Sequence, residues 1–166
     1  MATRGKRQRA LVRPLTVAAF GGNALWEAGD HGYMDEQWRR AESAAEWLAE
    51  VVARGNDLLI VHGNGPQVGQ VLIQMEEAAT KVPPGTLDVA VAQTEGSMGY
   101  LLQLALRNRL REIGSEREVS TLLTLVVVDG EDAGFESPTK PVGPFFSSYR
   151  ASVLKRQLGW EMVEDS

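Results

Sequence analysis

The amino-acid sequence predicts an α/β protein, a three-layer αβα sandwich around a mainly parallel sheet. Three observations predict it. Short apolar runs recur along the chain, stretches of helical period separate them, and the first two runs end in glycines rather than hairpin turns. Parallel strands joined by helical crossovers are buried on both faces, so they read as continuous apolar runs rather than alternating ones.

The first run is Leu15-Thr-Val-Ala-Ala-Phe20, stopped by Gly21-Gly22-Asn23. A helix is expected from about Asp35, because Trp38, Ala41, Ala45, Leu48 and Val52 form one apolar stripe. Gly55 suits the left-handed residue that ends such a helix. Leu58-Leu-Ile-Val61 is the second strand, and Gly63-Asn64-Gly65 follows it. Pro66 fits the first turn of a helix through Val68, Leu72 and Met75. Lys81-Val-Pro-Pro-Gly85 breaks the pattern. Leu102, Leu106, Leu110 and Ile113 then mark a long helix closed by Gly114. Val119 to Val128, rich in valine, leucine and threonine, predicts a third strand. An irregular excursion at about 129–148 precedes a short helix, about Tyr149–Leu158, and a strand starting at Trp160.

Composition narrows the function classes. At 166 residues, 43% hydrophobic and 23% charged, the chain has the length and balance of one globular domain. No apolar stretch approaches the ~20 residues of a membrane span. The absence of cysteine excludes a disulfide scaffold, a thiolate metal site and a cysteine nucleophile, and suits a cytoplasmic setting. Two histidines, His31 and His62, are too few for a histidine-built metal cluster. Residues 1–14 form a basic leader, with Arg4, Lys6, Arg7, Arg9 and Arg13 and no acid, and are expected to be a disordered tail. The body, 15–166, keeps 12 basic against 22 acidic residues, which argues against a nucleic-acid partner.

The chemistry concentrates in two loops. Parallel strands bring their C-terminal ends to one edge, so Gly21-Gly22-Asn23 and Gly63-Asn64-Gly65 should line one crevice. Glycines there admit a ligand close to backbone N–H groups, and the helix opening at Pro66 adds its positive end. The pair predicts a site for a phosphate-bearing anion, although either loop alone also reads as a tight turn. The glycine spacing fits neither a dinucleotide fingerprint nor a phosphate-binding GxxxxGK[ST] loop. Lys140 stands between Pro138 and Pro141, a stiff mount for an ammonium facing a phosphoryl group. Taken alone it also reads as a solvated surface lysine.

Four segments carry a resemblance. Phe20-Gly-Gly-Asn-Ala-Leu25, His62-Gly-Asn-Gly-Pro-Gln-Val-Gly69, Thr94-Glu-Gly-Ser-Met-Gly-Tyr100 and Pro138-Thr-Lys-Pro-Val-Gly-Pro144 resemble, in order and spacing, the carbamate kinases of the amino acid kinase family. The match covers about residues 15 to 165. Phe20 stands where leucine is usual and Glu95 where glutamine is frequent. The resemblance implies reversible phosphoryl transfer between ATP and carbamate, giving ADP and carbamoyl phosphate, in arginine catabolism. It implies that Gly21, Gly22 and Asn23 contact the transferred phosphoryl group. Gly63, Asn64 and Gly65 would hold the carbamate end, and Lys140 would stabilise developing charge. It further implies Mg²⁺ on the nucleotide phosphates, no metal held by this chain, and a homodimer in the full-length form. Family members continue into a second half carrying the nucleotide pocket, so 15–166 is expected to be the N-terminal portion, inactive alone. Another amino acid kinase, or a non-catalytic anion-binding module, remains an alternative.

Overall fold

The structure, a computed structural model, describes residues 12–21, 25, 26, 29–140, 143 and 145–164. Strand β1 (Leu15–Phe20) and strand β2 (Asp57–His62) form a parallel pair, in register from Leu15 opposite Asp57 to Phe20 opposite His62. Helix α1 (Met34–Ala53) makes the crossover between them. Helices α2 (Gly65–Ala78) and α3 (Leu87–Glu112) follow. A four-residue helix, α4 (Ala133–Glu136), interrupts the irregular excursion, and α5 (Ser148–Leu158) comes last. The expected leader lies mostly outside the described residues, but the Pro14 carbonyl already accepts from the Asp57 amide at 2.8 Å.

The core forms where α1 and α3 pack on one face of the sheet. Ala41, Ala44, Ala45, Leu48 and Ala49 of α1 are buried with Met98, Leu101, Leu102, Ala105, Leu106 and Leu110 of α3. Four of those five α1 residues are alanines, so the helix axes can approach closely and one leucine fills most of the space between them. Ala18 enters the same cluster, and Leu58 and Ile60 pack against it. A smaller cluster, Val68, Leu72 and Ala90, joins α2 to α3. Helix ends follow the glycine signals: Gly55, Gly114 and Gly159 all have positive φ, where a side chain would be strained. At the start of α3, a hydrogen bond from the Thr86 side chain holds the Asp88 carboxyl below its usual range.

The α/β class and the parallel pairing are as the sequence predicts, but among the described residues helices cover only one face of the sheet. Alternation along the strands leaves Leu15, Val17, Leu59 and Val61 exposed on the other face.

The strand expected over Val119–Val128 is not formed, which corrects the sequence reading. The Thr121 amide donates to Gln103 Oε1 at 2.9 Å, and the Thr124 amide to Glu95 Oε2 at 3.0 Å. Side chains of α3 thus take amide hydrogens that a ladder would use. The Thr121 side chain also lies so close over Gly99 that a Cβ there would sit 2.2 Å from Thr121 Cγ2. A groove of about 410 Å³, lined by Leu58, Ile60, Leu102, Leu106 and Val119 among others, separates the segment from β2. High β-propensity makes a strand only where a neighbouring edge accepts it. The strand start expected at Trp160 is also absent, since 160–164 carry no regular structure.

Leu125 and Val127 are both 98% exposed, and Leu122 and Val126 are largely so. An uncharged apolar run of this kind, beside an open sheet edge, is a template for association. Sedimentation velocity should therefore show mass rising with concentration. Replacing Leu125 and Val127 by lysine should suppress that rise without moving the urea midpoint, because neither side chain packs on anything. A monomer at every concentration tested refutes this expectation.

Candidate active site

The two glycine loops start side by side. Phe20 and His62 are paired at the ends of their strands, and the Gly63 amide donates to the Phe20 carbonyl at 2.9 Å. Gly21 and Gly63 therefore leave the same edge of the sheet side by side, as two parallel strands require. Gly22 and Asn23, the other residues expected in the first loop, lie outside the described residues.

The second loop divides its duties. The Gly63 N–H extends the β1–β2 pairing by one bond and is not free for a ligand. Asn64 caps α2 from a non-helical backbone conformation, φ −144° and ψ 15°, and its carbonyl accepts from Val68 N at 2.9 Å. Gly65 and Pro66 open the helix, where the first backbone N–H groups have no intrahelical partner and the positive end of the helix dipole lies. Gly63 and Gly65 are exposed and Asn64 is half-buried. This corner presents N–H donors to an incoming oxyanion.

Behind the loop lie polar groups that the sequence reading did not assign to the site. The Asn64 side-chain nitrogen donates to Thr94 Oγ1 at 2.8 Å, and Thr94 Oγ1 donates to the Val91 carbonyl at 2.8 Å. Thr94 is buried within α3. Gln67, in the first turn of α2, is also buried, and neither its amide nitrogen nor its amide oxygen has a partner. Such a pair of orphaned groups costs about 1–3 kcal/mol each. Thr94 and Gln67 stand inside the segments quoted for the resemblance, but their roles depend on contacts that no spacing reveals. His62 Nδ1 lies 3.2 Å from the Gly63 carbonyl, a local loop contact.

Lys140 is exposed, and no described contact joins it to either glycine loop. Its stretch of chain is anchored instead along α2. Gly143 lies against Leu72, and Arg150 pairs with Glu76. Leu72 is roughly 10 Å along the helix axis from Gly65. Gly21 and Gly63 are thus brought to one edge, while Gly143 and α5 lie against later turns of the helix that begins beside them.

No family model matches the chain. A carbamate kinase of Pyrococcus horikoshii is 44% identical over 152 residues, covering 90% of this chain and 48% of that protein. One from Trichomonas vaginalis is 40% identical over 151 residues, again 90% of this chain and 48% of the relative. The solved structure of Giardia lamblia carbamate kinase bound to AMP-PNP superposes with a TM-score of 0.85 at 31% identity, covering 93% of this chain and 49% of that one. Homologues of this chain are carbamate kinases. The chain spans about half the length of the carbamate kinases it matches, and the similarity is to their N-terminal part. Paired strand-end glycines, the Asn64 corner and the α1–α3 core all fall within the matched stretch.

Among the described residues no helix is long and apolar enough to cross a membrane. No group of three or more histidine, aspartate or glutamate side chains there could hold a metal ion.

Proposed function

We propose that this chain forms the acyl-phosphate side of a carbamate kinase, which transfers a phosphoryl group reversibly between ATP and carbamate. The observation that supports it is the Gly63 amide bonded to the Phe20 carbonyl, which sets both glycine loops at one edge. Gly21, Gly22 and Asn23 bind the phosphoryl group, and Asn64 and Gly65 bind the carbamoyl end against the opening of α2. Gly63 aligns the two loops. Lys140 supplies positive charge to the transferring group.

Phosphoryl transfer is accelerated chiefly by in-line positioning and compensation of charge on the phosphoryl oxygens. Both partners must therefore be held together. The matched stretch is about half of each relative, and we expect residues 15–166 by themselves to bind carbamoyl phosphate without turning it over. In the full-length assembly the nucleotide would come from that other half, in a cytoplasmic homodimer.

Two measurements test this reading. Backbone amide NMR should show carbamoyl phosphate and inorganic phosphate shifting Gly21 and Gly65, while ATP formation from ADP and carbamoyl phosphate stays at background. Turnover comparable to a full-length relative overturns the inactivity, and shifts confined to other surfaces overturn the site.

A further inference from the structure

We infer that Thr94 locks Asn64 as a hydrogen-bond acceptor for a ligand amino group, so that the crevice prefers carbamoyl over acetyl phosphate. The inference rests on the crevice being the acyl-phosphate site, and it adds what that site selects.

The Thr94 hydroxyl has a single hydrogen, and its oxygen lies 2.8 Å from the Val91 carbonyl, which can only accept. That hydrogen is therefore spent within α3. The Asn64 side chain lies 2.8 Å from the same hydroxyl oxygen, so the group it presents must be its NH₂. With the amide reversed, Asn64 Oδ1 would face an oxygen with no hydrogen left to share. Burial of Thr94, at 1% exposure, keeps water from relaxing this requirement.

The fixed amide leaves Oδ1 on the opposite branch. No described donor reaches it, and Asn64 lines the end of the groove between β2 and α3 beside the second glycine loop. Its neighbours at the opening of α2 are N–H donors, which suit phosphoryl and carbonyl oxygens. A lone acceptor among them repels an oxyanion and suits an N–H. Carbamoyl phosphate carries an amino group on its carbonyl carbon, and acetyl phosphate carries a methyl there. A site built to hydrogen-bond a substrate N–H rejects the analogue lacking it, because the protein acceptor is left unpaired. Thr94 acts here as a positioning residue, thirty positions away in sequence from the group it orients.

The test titrates inorganic phosphate, acetyl phosphate and carbamoyl phosphate separately into the 166-residue chain, followed by the backbone amides and the Asn64 side-chain NH₂ signals. Carbamoyl phosphate should bind about five- to tenfold tighter than acetyl phosphate. Thr94→Val, which keeps the shape and removes the acceptor, should narrow that ratio to below about twofold and shift the side-chain NH₂ signals. Inorganic phosphate should bind Thr94→Val as it binds the parent, and Thr94→Ser should restore selectivity, which loss of structure alone would not produce. Equal binding of the two acyl phosphates by the parent overturns this inference and leaves the crevice standing. Selectivity retained in Thr94→Val overturns the role of Thr94. Binding of none of the three ligands overturns the crevice itself and the inference with it.

Discussion

Leu48→Ala is expected to lower the unfolding free energy by about 3–5 kcal/mol, the upper part of the range for a buried leucine. Leu48 is completely buried in the cluster that joins α1, α3 and the sheet. The cost of such a truncation depends on how far the surroundings collapse into the vacated space. Here Ala44, Ala45 and Ala49 flank it on α1, and alanine has no rotamer with which to fill a cavity. Collapse would need α1 to move as a body, while Phe20 stacks on Trp47 with ring centroids 5.5 Å apart. A loss of this size is a large fraction of a typical domain's stability, and lowers the melting temperature by roughly 10 °C. Leu59→Ala is the control: Leu59 lies 47% exposed on the uncovered face of the sheet, so its truncation should cost less than about 1 kcal/mol. Urea unfolding of the two variants decides the matter. Equal losses would mean that the α1–α3 core is not the centre of stability.

Much of this core was legible in the sequence because periodicity and glycine report local physics. The stripe Trp38, Ala41, Ala45, Leu48 and Val52 is one face of α1, and Gly55 ends that helix as a left-handed residue should. The two strands with their glycine loops were legible for the same reason, and their parallel pairing follows from the crossover. Helix α3 was readable only in its second half. Gly96 and Gly99 disguise the first, where Gly99 serves the close passage of Thr121 rather than a helix break. Val119–Val128 misled because β-propensity records what a segment could do beside an open edge. Whether Glu95 and Gln103 would take its amides instead is a tertiary fact.

At the site, glycine spacing located the crevice but not the division of labour inside it. The Gly63 amide had to be seen bonded to Phe20 before it could be removed from the ligand-binding set. Asn64 was identified by position, yet the direction its amide faces depends on Thr94, and no local pattern encodes that. Lys140 is stiffened by its prolines, but stiffness does not say where it points. The structure ties its neighbourhood to Leu72 and Glu76 on α2.

Gly32→Ala is expected to be the most damaging single added methyl group in the described chain, at about 2–4 kcal/mol. Two separate penalties meet there. Gly32 has φ +80°, where an L side chain is strained, and a Cβ would lie 2.2 Å from Cη2 of the Trp26 ring. The ring cannot step aside freely, because Trp26 Nε1 donates to the Asp30 carbonyl at 3.2 Å. The backbone cannot step aside either. The Gly32 carbonyl accepts from Gln37 Nε2 at 3.1 Å, and the amides of His31 and Tyr33 both donate to Glu36 Oε2. This strap leads from the first glycine loop into α1, so disturbing it loosens the α1 cap as well as the tryptophan. Gly55→Ala isolates the backbone penalty, since Gly55 has φ +90° with nothing within 4 Å of an added Cβ, and should cost about 1 kcal/mol. If the ring is the remaining cause, the methyl group at residue 32 should cost only about 1 kcal/mol in a Trp26→Ala background, a coupling that a double-mutant cycle measures directly. Equal losses for Gly32→Ala and Gly55→Ala, or no coupling to residue 26, would show that the strap yields and that Trp26 does not hold it.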